Sequence, residues 1–344
     1  MKKWIVPCMI FTMLACAAAR AEKAPSLWLN EPAPDFTLES AEGKKISLNQ
    51  FKGKNPVIVA FWHPQMDVSI QQLKELDKVL KDKAFKDVKT LAVTFGKEVK
   101  DRDAARDAFK KAGLDFPLLL EKRTDASATP VEYLVSYLPA FFIIDKMGNL
   151  AAPPVSLVSE KINGKSFSSF LKDILAGKKV NACDFAPEPR TDEPYKNLFA
   201  MIGKPAPDFS ATDTSGVKQS LSYYKGKRNV LLIFFYPGCG HCRRELPQLH
   251  NYNEKWAAKQ GVQLLAINID GSDAAQPEAV KFFKLFDMKF PLINQGKNAI
   301  NEKYGVNSVP TLFLIDKKGI VRNVFVGEFA MPGDVIQCLA GKMK

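Results

Sequence analysis

A chain of 344 residues is too long for one small domain and points to two of moderate size, each able to bury its own core. With 46% hydrophobic and 25% charged residues, the composition is that of an ordinary soluble globular protein. The formal charge of +12 is scattered, with no clustered basic stripe and interleaved aromatics, which argues against a nucleic-acid partner.

Lys2 and Lys3 precede a mostly apolar stretch from Trp4 to Ala19 and then Ala19-Arg20-Ala21, small residues where a signal peptidase reads them. Residues 1–21 are therefore expected to be a secretory signal, cut after Ala21 and leaving a charge of +9. The apolar core is short for a membrane span, and no later segment reaches that length without charges, so no transmembrane segment is expected in the mature chain. Lipid attachment at Cys16 is the weaker alternative, because Met13 and Leu14 fit a lipobox poorly. Export places the protein in the periplasm or another extracytoplasmic compartment, where disulfides form and rearrange.

The chain then repeats itself. Residues 31–73 set without a gap against 204–246 match at sixteen of forty-three positions, including Pro-Ala-Pro-Asp-Phe at 32–36 and 205–209. Further pairs extend the match: Phe116-Pro117-Leu118 with Phe290-Pro291-Leu292, Tyr133 with Tyr304, Pro139 with Pro310, and Asp145 to Gly148 with Asp316 to Gly319. One fold is thus expected twice, over residues 30–177 and 200–344. In the first copy, Lys97 to Lys111 mixes both charge signs at helical spacing and reads as a solvated helix face. Residues 178–199, rich in Pro and charge and without periodicity, read as the linker.

In the second copy the pattern predicts a strand over 229–236, a helix over 240–258, a strand over 262–269 and a helix over 275–286. A short helix before Tyr304, strands over 311–315 and 320–326 around the turn Asp316 to Gly319, and a helix over 333–341 follow. Such alternation implies a central sheet with parallel strands, covered by helices and closed by a hairpin.

Between the first of those strands and its helix stands Cys239-Gly240-His241-Cys242. Pro237 and Gly238 end the strand, so Cys239 falls at the helix start, where unpaired amides and the helix dipole favour a thiolate. Cys239 is the expected nucleophile and Cys242, one turn inside, the resolving thiol. A zinc half-site would need a second ligand pair, and only His250 is near; an inert structural disulfide is the other alternative. Pro247 falls in the helix interior, where it is expected to kink the helix.

These motifs resemble the thioredoxin superfamily, in particular its extracytoplasmic TlpA-like and ResA-like (redoxin, AhpC/TSA-related) branch. The resemblance rests on Pro205 to Phe209, the run Phe234 to Cys242, Arg243 to Pro247, and Tyr304 to Thr311, and covers nearly all of residues 200–344. It implies an α/β protein of two tandem thioredoxin-like folds, each a central mixed sheet flanked by helices. It further implies a cis Pro310 facing the cysteines, shaping strand-like docking of a substrate. Glu245, which the family pattern also has, is expected to tune thiol ionisation or take the proton of Cys242; the rival reading is a surface Glu answering Arg243 or Arg244. His241 when protonated would stabilise the Cys239 thiolate and make the pair more oxidising. Ile233 stands where thioredoxin itself carries a buried Asp, so that proton route is absent.

The first copy resembles the same fold, but Met66 and Ser69 replace the two cysteines, so it is expected to bind a partner, dimerise or shield the other copy. Met66 with His63 could be a soft metal site, though one Met and one His are more often packing residues. Cys338 aligns with apolar Ile174 and is expected to be a buried, inert thiol. Cys183, in the linker, is expected to be unpaired, with an intermolecular bridge or a pairing with Cys338 as alternatives.

The function implied is an exported thiol:disulfide oxidoreductase with no cofactor or metal, acting on protein thiols or disulfides as a reductant and recharged by a membrane electron donor. The alternatives are a thiol peroxidase, although His63 to Met66 and Cys239 both lack the Thr-x-x-Cys signature, and a partner-binding module in which the first copy dominates.

Overall fold

The computed structural model describes residues 27–95, 99–123, 128–272, 275–295 and 300–343, with the backbone only at 99–101. The expected signal, its cleavage site and Cys16 lie outside the described residues.

The first half contains β1 (Thr37–Ser40), β2 (Lys45–Ser47), β3 (Val57–Phe61), α1 (Asp67–Leu80), β4 (Lys89–Phe95), α2 (Val99–Ala112), β5 (Leu118–Glu121), α3 (Thr129–Glu132), β6 (Ala140–Ile144) and α4 (Phe167–Leu175). Its sheet runs β2-β1-β5-β4-β3-β6, with β3, β4 and β5 parallel and β6 antiparallel to β3.

The second half begins with α5 (Lys196–Phe199), β7 (Ser210–Thr212), β8 (Lys218–Ser220) and α6 (Leu221–Tyr224). Then come β9 (Asn229–Phe235), α7 (Gly240–Tyr252), α8 (Ala258–Gln260), β10 (Val262–Asn268), α9 (Ala275–Leu285), β11 (Leu292–Asn294), α10 (Ile300–Lys303), β12 (Thr311–Ile315), β13 (Val321–Val326) and α11 (Pro332–Lys342). Its sheet runs β11-β10-β9-β12-β13, parallel through β9 to β11 and antiparallel at β12 and β13. These are two tandem thioredoxin-like folds.

Strand periodicity explains why both central strands are buried along their whole length. In β9, Leu231, Ile233 and Phe235 enter one core and Val230, Leu232 and Phe234 the other. In β3, Ile58 and Ala60 face one core while Val57, Val59 and Phe61 face the opposite one. The duplication reaches single hydrogen bonds. The Tyr133 hydroxyl donates to the Pro34 carbonyl at 2.8 Å, and that of Tyr304 to Pro207 at 2.7 Å. Leu138–Pro139 and Val309–Pro310 are both cis. The helix runs through Pro247, and its backbone widens into a π turn later, at Asn253–Ala257.

Three expectations need correction. The strand β11, only three residues long, is absent from the predicted pattern because so short a run carries no periodicity. Residues 178–199 carry structure of their own: Ala182–Phe185 forms a 3-10 turn, and Leu198 of α5 is buried in a core of the second half. Cys183 is bonded to Cys338, with Cα atoms 5.5 Å apart, so neither is a free thiol. Folding the linker back onto α11 makes the bond, and that proximity across 155 residues is a tertiary fact.

The two halves share a junction. Trp28 is buried in the core of the second half, against Gly333, where a Cβ would stand 2.9 Å from the indole ring. The Leu29 amide donates to Asp334 Oδ1 at 3.1 Å, and Lys255 pairs with Glu31. In return Met331, just before α11, is buried in the core of the first half.

Candidate active site

Strand β9 delivers the chain to Tyr236, and Pro237-Gly238 turns it into α7. Pro237 cannot donate to a continuing ladder, and Gly238 lies under the Tyr236 ring, where a Cβ would meet the hydroxyl at 2.5 Å. Cys239 is the N-cap residue of α7, and its sulfur accepts the Cys242 amide hydrogen at 3.2 Å. A sulfur in that place uses one of the helix's orphan N–H groups and sits at the positive end of the helix dipole. From the other side the Cys239 thiol donates to the carbonyl of Val309 at 3.6 Å, the residue before cis Pro310.

Cys242 is fully buried, and burial, then the neighbouring Cys239, pushes its thiol far above the ordinary range. The pair is therefore asymmetric, with a reachable sulfur at the helix cap and a second behind it. One turn deeper, Glu245 is wholly buried and neither carboxyl oxygen makes a well-formed hydrogen bond, although the Phe329 amide faces the group. Burial first, then the charges of Glu328 and Cys239, raises it well above the usual carboxylate range, with the Phe329 amide opposing. Such a group is held towards its protonated form, with a proton affinity shifted in the same direction as that of Cys242.

The reading of Glu245 as a surface partner of Arg243 or Arg244 fails. Arg243 instead donates to the Pro237 carbonyl at 3.3 Å and lies over the Phe282 ring. Arg244 binds Glu328 through Nε, 3.1 Å from each carboxylate oxygen, and through Nη2, 2.6 Å from Oε2. His241, 65% exposed, places Nδ1 2.8 Å from Glu328 Oε2. Glu328 is thus part of the site although nothing in the sequence signalled it: it lies 87 residues beyond His241 and outside the matched motifs.

The equivalent place in the first half is chemically different. Met66 is the N-cap of α1 without a side-chain cap, and Ser69 is buried with its hydroxyl unpartnered. His63 Nδ1 accepts the Gln65 amide hydrogen at 3.3 Å, and its ring faces Phe95. Among the described residues no group of three or more His, Cys, Asp or Glu could hold a metal ion, and His250 packs against Phe290.

The AhpC/TSA family model matches residues 29–152 and again 202–324. The chain belongs to the AhpC/TSA family. It is similar to the thioredoxin-like protein YneN of Bacillus subtilis, 36% identical over 132 residues, spanning 38% of this chain and 75% of YneN. The thiol-disulfide oxidoreductase ResA of Bacillus cereus is 39% identical over 139 residues, spanning 39% of this chain and 78% of ResA. Among solved structures, StoA of Bacillus subtilis is 25% identical, covering 37% of this chain and 92% of StoA with a TM-score of 0.32. A thiol-disulfide oxidoreductase from Bacteroides fragilis is 22% identical, covering 42% of this chain and all of that one, with a TM-score of 0.36. The activity of this family member is that of a thiol:disulfide oxidoreductase, with protein thiols or disulfides as its substrates.

Proposed function

We propose that the protein is an exported reductant of protein disulfides, with residues 30–177 a non-catalytic copy, 178–199 the connection and 200–344 the catalytic domain. The observation that carries this reading is the asymmetric pair: Cys239 caps α7 and touches the Val309 carbonyl, while Cys242 is buried behind it.

In the first step the Cys239 thiolate attacks a substrate disulfide, forming a mixed disulfide and releasing one substrate thiolate. Cys242 then loses its proton to the ionised form of Glu245 and attacks the Cys239 sulfur. The second substrate thiolate leaves, the Cys239–Cys242 disulfide forms, and two electrons have passed to the substrate. A thiol-bearing electron donor at the membrane returns the pair to the dithiol. Val309 and Pro310 give an extended substrate a place to lie across the sulfurs. A further disulfide at Cys183–Cys338 supports an oxidising, extracytoplasmic location, since such bonds persist there and are rare in the cytosol. Among the described residues no helix is long and apolar enough to cross a membrane.

The test is equilibration of the mature protein against graded glutathione buffers, scored by thiol alkylation. A strongly reducing potential supports electron delivery to substrates such as apocytochrome or metal-site cysteines. A potential near that of the oxidising compartment rejects the reductant role in favour of disulfide formation or isomerisation.

A further inference from the structure

Within a Cys-Gly-His-Cys sequence a protonated His makes the pair more oxidising than an uncharged residue would, because an imidazolium near the first sulfur favours the thiolate and hence the reduced protein. Here that charge has an answer. The Glu328 carboxylate, 9% exposed, lies 2.8 Å from His241 Nδ1 and is gripped by Arg244 through both Nε and Nη2. Arg244 Nη2 is also 2.8 Å from His241 Nδ1, so the three side chains form one cluster at the first turn of α7. Without the carboxylate, His241 and Arg244 would remain at the first turn of α7, the helix that Cys239 caps, with that counter-charge removed.

The segment carrying Glu328 is not free to move off. Phe329 stacks on Phe325 at 5.0 Å, and Met331 is 4% exposed with φ of 52°, a left-handed conformation uncommon outside glycine. Met331 packs into the core of the first half with Tyr133 and Ala140, around a cavity of only about 20 Å³ that Tyr137, Glu328 and Phe329 also line. In the internal match, Leu134 to Leu138 correspond to the segment before Pro310, where the catalytic copy presents Val309 to Cys239. The corresponding surface of the cysteine-free copy is therefore filled by a loop of its catalytic twin.

We propose that Glu328 is a positioning residue that acts through His241 to make the dithiol more reducing, and that the first half serves to hold the loop that presents it. This deepens the reductant reading and rests on it. The measurement is the reduction potential of the full mature chain in glutathione buffers, together with the rate of Cys239 alkylation at pH 7. Glu328→Gln should shift the equilibrium with glutathione about tenfold towards the reduced protein, about 30 mV for a two-electron couple, and speed alkylation. Glu328→Asp should restore most of the wild-type value. In a His241→Ala background the Glu328→Gln shift should lose most of its size. Met331→Ala, which loosens the loop without touching the charges, should move the potential in the same direction by a smaller factor.

A folded Glu328→Gln chain with wild-type potential, or a shift undiminished by His241→Ala, overturns the role of Glu328. An unchanged potential in folded Met331→Ala overturns the role of the first half. A wild-type protein that exchanges with no disulfide at all would instead remove the functional reading beneath both.

Discussion

The two helix starts, Met66 in the first half and Cys239 in the second, occupy the same place in the same fold and do different things. The Cys239 sulfur accepts an amide hydrogen from its own helix, whereas the Met66 side chain caps nothing. One turn further in, the contrast repeats with the opposite cost. Gln72, which matches Glu245, is buried yet satisfied: its amide donates to Ser159 Oγ at 3.0 Å and its oxygen accepts the Ser159 amide at 3.1 Å. Glu245 has no such partners. The copy without the cysteine pair has a settled polar group at this depth, and the copy with it keeps a buried carboxyl that lacks such side-chain and backbone pairing, as proposed active sites do when stability is given up for reactivity. The difference teaches that the fold needs neither cysteine nor carboxylate here.

Substitutions that cross the two copies would break or sharpen this contrast. The largest effect is expected from Cys239→Ser, which should reduce disulfide exchange by at least about a thousandfold while leaving thermal stability close to wild type. Turnover with a protein disulfide and a melting curve check both halves of that statement. Next, Gln72→Glu should destabilise the chain by about 2 kcal/mol at pH 7, because it loses the amide donor to Ser159 and buries an ionisable group; urea unfolding measures it.

Asp334, at the junction of the halves, is raised to about 7 by burial, with the Leu29 amide opposing and the Glu31 charge adding. Its unfolded form ionises near pH 4, so the unfolded chain releases its proton first as pH rises. The stability that goes with the protonated group is complete below pH 4 and declines up to about pH 7. Asp334→Asn keeps the acceptor for Leu29 and should leave stability unchanged at pH 4 while raising it on the order of 2–4 kcal/mol at pH 8. At Glu245 the raised affinity for protons has the same sign. Glu245→Gln should gain stability over wild type as pH rises above the ordinary carboxyl range, and should slow the resolving step so that mixed disulfide accumulates. Stability curves at several pH values and quenched-flow alkylation separate the two consequences.

Much of this was legible beforehand because it is local or repeated. The predicted strand and helix around Cys239 match β9 and α7 to within a residue at their starts, since an apolar run, Pro-Gly and a capping position lie next to one another in the chain. Pro139 and Pro310 were paired by the duplication alone. What escaped is long-range. The Cys183–Cys338 bond joins groups 155 residues apart; the sequence offers it only as an alternative, since two cysteines remain after Cys16 once the C-x-x-C pair is set aside. Met331 and Asp334 owe their roles to the docking of one half on the other, and Glu328 to a fold that returns it to α7; no periodicity within either half encodes those contacts.

The central claim is that one sulfur, Cys239, does the exchange while the other copy does none. Cys242→Ser protein, incubated with a disulfide substrate and analysed by peptide mass mapping, tests it most directly. The account predicts a stable mixed disulfide on Cys239, with Cys183 and Cys338 still joined to each other. A mixed disulfide on Cys183 or Cys338, or none on Cys239 in a folded protein, would contradict it.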